Sequence, residues 1–233
     1  MLLTRPITAI EIATPRARLV HLDMRDTAFP FEPGQAVWIG THGQAQRKPY
    51  SIASAPEDVA REGRLQLLVG VDTNGSPGPH VRLEVGASVD MDGPVGTFTF
   101  PQNPDERRFL FIAGGTGIAP LRSMLRHSVN VPHDVIGLLY SARLPEELAY
   151  VDELRAMSAA GTIELTLTVT RDVAHGVWTG ARGRITRADL APLVHDSRTL
   201  CFVCGPQAMV DEIPVLLESL GVSRARVRVE GWR

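Results

Sequence analysis

Lysine is almost missing from this chain: Lys48 is alone, and every other basic side chain, of 24 in all, is arginine. Cysteine is nearly as scarce. Cys201 and Cys204 are too few for a disulfide framework and fall short of the roughly four thiolates that hold an iron–sulfur cluster. That scarcity suits a reducing compartment, so a cytoplasmic location is expected. Neither charge sign dominates: 24 basic and 26 acidic residues give a net charge of −2, and they are interspersed, which argues against a nucleic-acid surface. No apolar run approaches the ~20 residues a bilayer span needs. The opening "MLLTRPITAI" lacks the apolar core of a secretory leader, and no membrane association is expected. What remains is a chain of 233 residues, 44 % hydrophobic, long enough for two compact domains.

The first hundred residues read as strands. "RLVHLDM", "QAVWIGT", "KPYSIAS", "RLQLLVGV" and "TFTF" are short β-branched or alternating runs between turn clusters such as "PFEPGQ", "DTNGSPGPH" and "MDGPVG". This spacing predicts an antiparallel barrel or sandwich. "HVRLEVG" fits a helical turn or a strand equally. A polar, proline-containing stretch, "PQNPDERR", then marks a domain boundary, giving domains 1–102 and 103–233. Beyond it apolar strands alternate with helices: "FLFIAGG" with "APLRSMLRHSV", "VIGLLYSA" with "PEELAYVDELRAMSA", "IELTLTVTRD" with "ITRADLAPLV", and "TLCFVCG" with "PQAMVDEIPVLLESLG", before a closing "ARVRVEGW". This alternation predicts a doubly wound parallel sheet.

In "FLFIAGGTGIAPLRSML" a buried strand runs into Gly114, Gly115, Thr116 and Gly117, and a helix is expected to open near Pro120. Glycines permit close backbone approach, and a helix start favours a bound phosphate. Pro120 stands where the full G-x-G-x-x-G fingerprint has its third glycine, so a bare glycine-rich turn is the alternative. "LCFVCGPQAM" repeats the arrangement at a second strand end, and ligands of open α/β sheets bind at such ends. Cys201 and Cys204 form a C-x-x-C in name only, because on a strand the two thiols face opposite sides. Cys201 reads as a small buried hydrophobe, and Cys204, at the strand tip, as a residue able to meet a ligand.

Six segments, in order, resemble the ferredoxin–NADP reductase family over nearly the whole chain. "KPYSIAS" resembles its flavin-binding R-x-Y-[ST] segment, "NGSPGPHV" its turn at the flavin phosphate, and "GPVGTF" the G-P-x-G-x-F that closes its barrel. "GGTGIAP" resembles its pyrophosphate loop, "LLYSARLPEELAYVDEL" the segment at the adenosine end, and "VCGPQAM" the C-G-P-x-x-M near the nicotinamide. The resemblance implies an N-terminal antiparallel β-barrel that binds flavin and a C-terminal α/β nucleotide domain. It implies FAD rather than FMN, and NADH or NADPH as electron donor. Tyr50 would lie on the isoalloxazine with its hydroxyl near the ribityl chain, and Ser51 would meet flavin N5. Lys48, Pro49, Ile52 and Ser54 would complete that wall, with Gly75, Ser76 and Gly78 near the phosphates. Gly115, Thr116, Gly117, Ile118, Ala119 and Pro120 would cradle the dinucleotide pyrophosphate, with Ser141 and Arg143 towards the adenosine. Cys204, followed by Gly205, Pro206 and Met209, would sit beside nicotinamide C4, Glu230 near the reacting centre, and Trp232 on the flavin ring. Ser51, Cys204 and Glu230 are thus the expected catalytic residues.

Two positions depart from the family pattern. Lys48 stands where an arginine is usual, while the neighbouring Arg47 would point to the face opposite Tyr50. Gly78 replaces the serine of the phosphate turn, with Ser76 close by, and Pro77 and Pro79 flank it. With no cluster ligands of its own, a reductase of this kind passes electrons to a separate acceptor: a ferredoxin-type protein, an oxygenase component or a small molecule. A flavin reductase that uses free flavin, or a non-catalytic electron-transfer subunit, remain the alternatives.

Overall fold

The computed structural model describes residues 1–171 and 178–232. They fall into two units, Met1–Phe100 with Arg122–His127, and Pro101–Leu121 with Ser128–Arg233.

The first unit contains β1 (Leu2–Thr14), β2 (Ala17–Asp23), β3 (Ala36–Thr41), β4 (Lys48–Ser51), helix α1 (Pro56–Glu62), β5 (Arg64–Gly70) and β6 (Ser88–Val95). The strands form one antiparallel six-stranded sheet in the order β4-β3-β6-β1-β2-β5. A single bridge, Ile52 opposite Leu67, joins its two edges and closes the barrel. β1 serves two partners: Leu2–Pro6 pairs with β6, and the stretch from Ile7 to Thr14 pairs with β2. Pro6, which has no N–H to give, sits where the strand changes partner. Period-two alternation turns Val20, Leu22, Val37, Ile39, Leu65, Leu67, Val89 and Met91 into the barrel core.

α1 was not visible as a pattern, being only seven residues long. Pro56 opens it, Asp58 accepts the Ala55 N–H, and Gly63 at φ +64° ends it. The run "TFTF" is not a strand. Phe98 and Phe100 are buried like strand residues, but the segment follows the Gly96 turn and joins no ladder. "HVRLEVG" is neither helix nor strand.

The second unit contains β7 (Arg108–Gly114), the two ends of α2 (Ile118–Ser128), whose middle Arg122–His127 counts with the first unit, β8 (Val135–Ala142), α3 (Val151–Ala159), β9 (Glu164–Val169), β10 (Ala181–Arg182), α4 (Arg187–Leu190), β11 (Leu200–Pro206), α5 (Gln207–Ser219) and β12 (Val227–Trp232). The strands are parallel in the order β10-β9-β8-β7-β11-β12. The chain winds outward through β7, β8 and β9, then returns to β11 on the other side of β7. The order therefore reverses between β7 and β11, where α/β sheets bind ligands. Leu110, Ile112, Cys201 and Val203 pack with Val210, Ile213 and Leu217 of α5. Phe111 and Phe202, at the intervening positions, stack with centroids 5.2 Å apart.

Three helix expectations are corrected. α2 opens at Ile118, behind a 3₁₀ turn at Gly115–Gly117, two residues before Pro120. The segment "PEELAYVDELRAMSA" is two pieces, a 3₁₀ turn at Pro145–Glu147 and then α3, parted at Tyr150 with φ +60°. The Ala149 N–H is drawn off to the Tyr140 hydroxyl at 3.1 Å, which keeps this stretch from closing a helical turn. α4 is a single turn, capped by Thr186 and Asp189 and stopped before Pro192.

Candidate functional site

In the first unit the candidate site is built on β4. Pairing with β3 places Tyr50 opposite Val37 and Lys48 opposite Ile39, so Lys48 and Tyr50 share a face. Tyr50 is half-buried against the barrel core, and burial pushes its hydroxyl up to about 12. The hydroxyl meets His80 Nε2 at 2.7 Å. Lys48 is exposed. Arg47 is committed elsewhere: its guanidinium donates to Asp90 at 3.3 Å. Asp90 also takes His42, Thr4 and the Gly43 N–H, and these bonds, His42 first, hold its carboxyl down near 2. Lys48 is thus the cation beside Tyr50.

The loop from Asp72 to His80 folds on itself. Asp72 Oδ1 accepts the N–H groups of Asn74 and Ser76, both at 2.9 Å, and Ser76 Oγ accepts the Gly78 N–H at 3.1 Å. Gly78 has φ +103°, a conformation glycine adopts without strain. A Cβ built there would lie 3.5 Å from His80 Nδ1 and 3.8 Å from Lys48 Nζ. The structure thus gathers Lys48, Tyr50, Gly78 and, through its hydroxyl, Ser76. Gly75 lies apart, beside Arg18. Pro49, paired opposite the exposed Trp38, is on the outward face of the strand. Ser51 is half-buried at the end of β4, and Ile52 is consumed in closing the barrel. Ser54 is buried: its Oγ accepts the Gln66 N–H at 2.8 Å, and its carbonyl accepts from Ser123 at 2.7 Å.

In the second unit the candidate site lies at the carboxyl ends of β7 and β11, on either side of the reversal of strand order. Two glycine turns meet there with no room for side chains. A Cβ on Gly117 would overlap the Cys204 carbonyl, one on Gly114 would come within 2.8 Å of Pro206, and one on Gly205 within 2.7 Å of the Met209 sulfur. Thr116 is exposed at the tip, while Gly117 to Pro120 are buried as α2 begins. Backbone amides at a helix start, with no side chain in the way, suit a phosphate. The turn is braced by Tyr140, wholly buried, which donates to the Gly115 carbonyl at 3.0 Å and accepts the Ala149 N–H. Ser141 is buried at the end of β8, and Arg143 beyond it is exposed. The Arg143 carbonyl accepts the Arg171 N–H at 2.9 Å, so these two arginines neighbour each other.

Cys204 is buried, with its thiol pushed well up by burial and then by Glu230, its partner in the β11–β12 register. Glu230 is half-buried, and desolvation raises its carboxyl. Trp232 pairs by backbone with Pro206, and its side chain lies outside the described residues. Met209 packs over Gly114 and Gly205, and Pro206 is exposed. Among the described residues no group of three or more His, Cys, Asp or Glu side chains is placed to hold a metal ion.

His80 and Tyr140 were missed in the sequence. Both lie inside segments that carry the resemblance, but a lone histidine in a proline-rich loop and a tyrosine in a buried strand are ordinary residues that no motif singles out. The fit to a flavin and a dinucleotide rests on three observations. A side-chain-free double turn opens a helix at the strand-order reversal, a cation stands beside a half-buried tyrosine, and the buried His80 Nδ1 next to them has no partner among the described residues.

A barrel and a doubly wound sheet with these two sites define a two-domain oxidoreductase class. Residues 7–100 match the oxidoreductase FAD-binding domain and residues 111–214 the oxidoreductase NAD-binding domain. The chain is 34 % identical to ferredoxin–NADP reductase B of Sorangium cellulosum (strain So ce56), over 97 % of this chain and 96 % of that protein. It is 35 % identical to methane monooxygenase component C of Methylosinus trichosporium over 69 % of this chain, spanning 47 % of that longer protein. Its fold matches a ferredoxin–NADP reductase from Neisseria gonorrhoeae, solved with FAD and NADP bound, with a TM-score of 0.81 at 20 % identity, over 99 % of this chain and 98 % of that one. The chain therefore belongs to the ferredoxin–NADP reductase family, as a FAD-containing, NAD(P)H-dependent oxidoreductase. Among the described residues no helix is long and apolar enough to cross a membrane.

Proposed function

We propose that this protein takes hydride from NADH or NADPH onto bound FAD and hands the electrons to a separate redox protein, a ferredoxin-type protein or an oxygenase component. The observation that carries this reading is the match to a ferredoxin–NADP reductase over nearly the full length of both chains. The two cysteines, both buried and free, are too few to hold a cluster within these 233 residues, which supports an acceptor outside them. Free thiols also support a reducing compartment, the cytoplasm.

Bound flavin and nicotinamide supply the hydride chemistry, and the protein's own part is positioning. In this reading Lys48 balances the flavin phosphate charge and the Ser76 hydroxyl donates to it, while Gly75 and Gly78, both at positive φ, shape the turn that presents them. Tyr50 gives the ring an aromatic face and Ser51 a hydrogen bond at the reactive edge. Ile52 and Ser54 act from behind, by holding β4 in the barrel. The N–H groups at the Gly115–Gly117 turn take the dinucleotide pyrophosphate, with Ile118, Ala119 and Pro120 forming the helix start behind them and Ser141 and Arg143 towards the adenosine. Cys204, a neutral thiol, together with Gly205, Pro206 and Met209, shapes a water-poor wall for the nicotinamide. Glu230 and Trp232 close the site.

Anaerobic stopped-flow mixing with NADH and with NADPH tests this. Bleaching of the flavin band, followed by reoxidation with a ferredoxin-type acceptor, is expected. A protein that stays colourless after reconstitution with FAD would sink the proposal. Because Lys48 offers a point charge where the family has a bidentate fork, free-flavin turnover is the second reading. Saturable turnover of free flavin by protein that loses FAD on gel filtration would favour it.

A further inference from the structure

His80 is wholly buried, and its two ring nitrogens differ in their surroundings. Nε2 lies 2.7 Å from the Tyr50 oxygen, and the two rings are near parallel, with an interplanar angle of 18° and centroids 5.8 Å apart. Nδ1 is buried and has no partner among the described residues. The backbone fixes this placement, since the His80 carbonyl accepts the Thr41 N–H at 2.9 Å at the end of β3.

Burial first, and the Lys48 ammonium second, keep the ring neutral, so it carries one hydrogen. Gly78 marks which nitrogen faces the lysine, because a Cβ there would touch both Nδ1 and Lys48 Nζ. A nearby cation favours a lone pair over an N–H, and a buried N–H without an acceptor is costly. The hydrogen therefore sits on Nε2 and is donated to the Tyr50 oxygen. Tyr50 keeps its own hydrogen, directed away from His80.

We propose that His80 is a positioning residue for the flavin: it grips the Tyr50 oxygen from behind, fixing the ring plane and leaving the hydroxyl hydrogen for an oxygen of the flavin side chain. This rests on the assignment of flavin to β4 made above. Lys48, on the same side, is left to meet the anion.

The test is a double-mutant cycle on the full-length protein, with FAD affinity read from flavin fluorescence quenching. His80→Phe, which keeps a buried ring but no donor, should weaken FAD binding about tenfold, the worth of one good hydrogen bond. His80→Gln, whose amide reaches the Nε2 position, should recover affinity to within about threefold of wild type. In a Tyr50→Phe background His80→Phe should add nothing further. Should His80→Phe fail to fold, His80→Ala carries the same cycle. Wild-type affinity in His80→Phe or His80→Ala, or effects that add fully to Tyr50→Phe, overturn the role of His80. Failure of the wild-type protein itself to bind FAD would instead strike the flavin reading.

Discussion

The two candidate sites are made from opposite materials. At the β7–β11 turns the working surface is backbone, and side chains are excluded by contacts a single Cβ would break. At β4 the surface is side chain: Lys48, Tyr50 and His80. A backbone site tolerates almost no sequence change and keeps its motif. A side-chain site can be retuned, which is how a lysine comes to stand where the family has arginine.

That contrast orders the expected effects. Gly117→Ala should be the most damaging, because its Cβ meets carbonyl backbone rather than a movable side chain. We expect roughly a hundredfold loss in kcat/KM for NAD(P)H with FAD content unchanged, measured by stopped-flow and absorbance. Loss of FAD as well would dissolve the distinction between the sites. Asp90→Asn comes next. The folded pKa of Asp90 is depressed from 3.8 to about 2, so its contribution is present at neutral pH and is lost as pH falls from about 4 to about 2. The variant should lose about 2 kcal/mol at pH 7, roughly 6 °C in Tm, and converge with wild type near pH 2 in thermal melts. Lys48→Ala should weaken FAD about tenfold, whereas Arg47→Ala, already tied to Asp90, should change affinity less than about threefold in the same fluorescence titration. Tyr140→Phe should have the smallest effect. Freeing the Gly115 turn should raise KM for NAD(P)H about fivefold with little change in kcat, as seen in steady-state assays.

The same contrast explains what could be read from the sequence. Five strands of the parallel sheet were legible, because strands buried on both faces are apolar runs such as "FLFIA" and "LCFV", while the two-residue edge strand β10 was too short to show. In the barrel two strands escaped notice. β1 carries Pro6 inside it, and β6 reads as polar because of Asp90 and Asp92, although Asp90 is buried and fully engaged. "TFTF" misled for the converse reason, having strand-like burial without strand pairing. The segments that carry the glycine turn and Tyr50 were quoted from pattern alone. His80 lies in the quoted "NGSPGPHV" but was given no role, since its place depends on a loop folding back over β4, and no local periodicity encodes that.

The closure of the barrel has a dynamic consequence. β4 and β5 are joined through one bridge, Ile52 to Leu67, supplemented by the Ala53 N–H to Gln66 and by Arg122 and Ser123, which donate to the carbonyls of Ala53 and Ser54. So short a seam is the cheapest place for the barrel to open locally. Its amides should therefore be the first of the barrel to take up deuterium, and a cofactor seated on β4 should act as a clasp that slows their exchange.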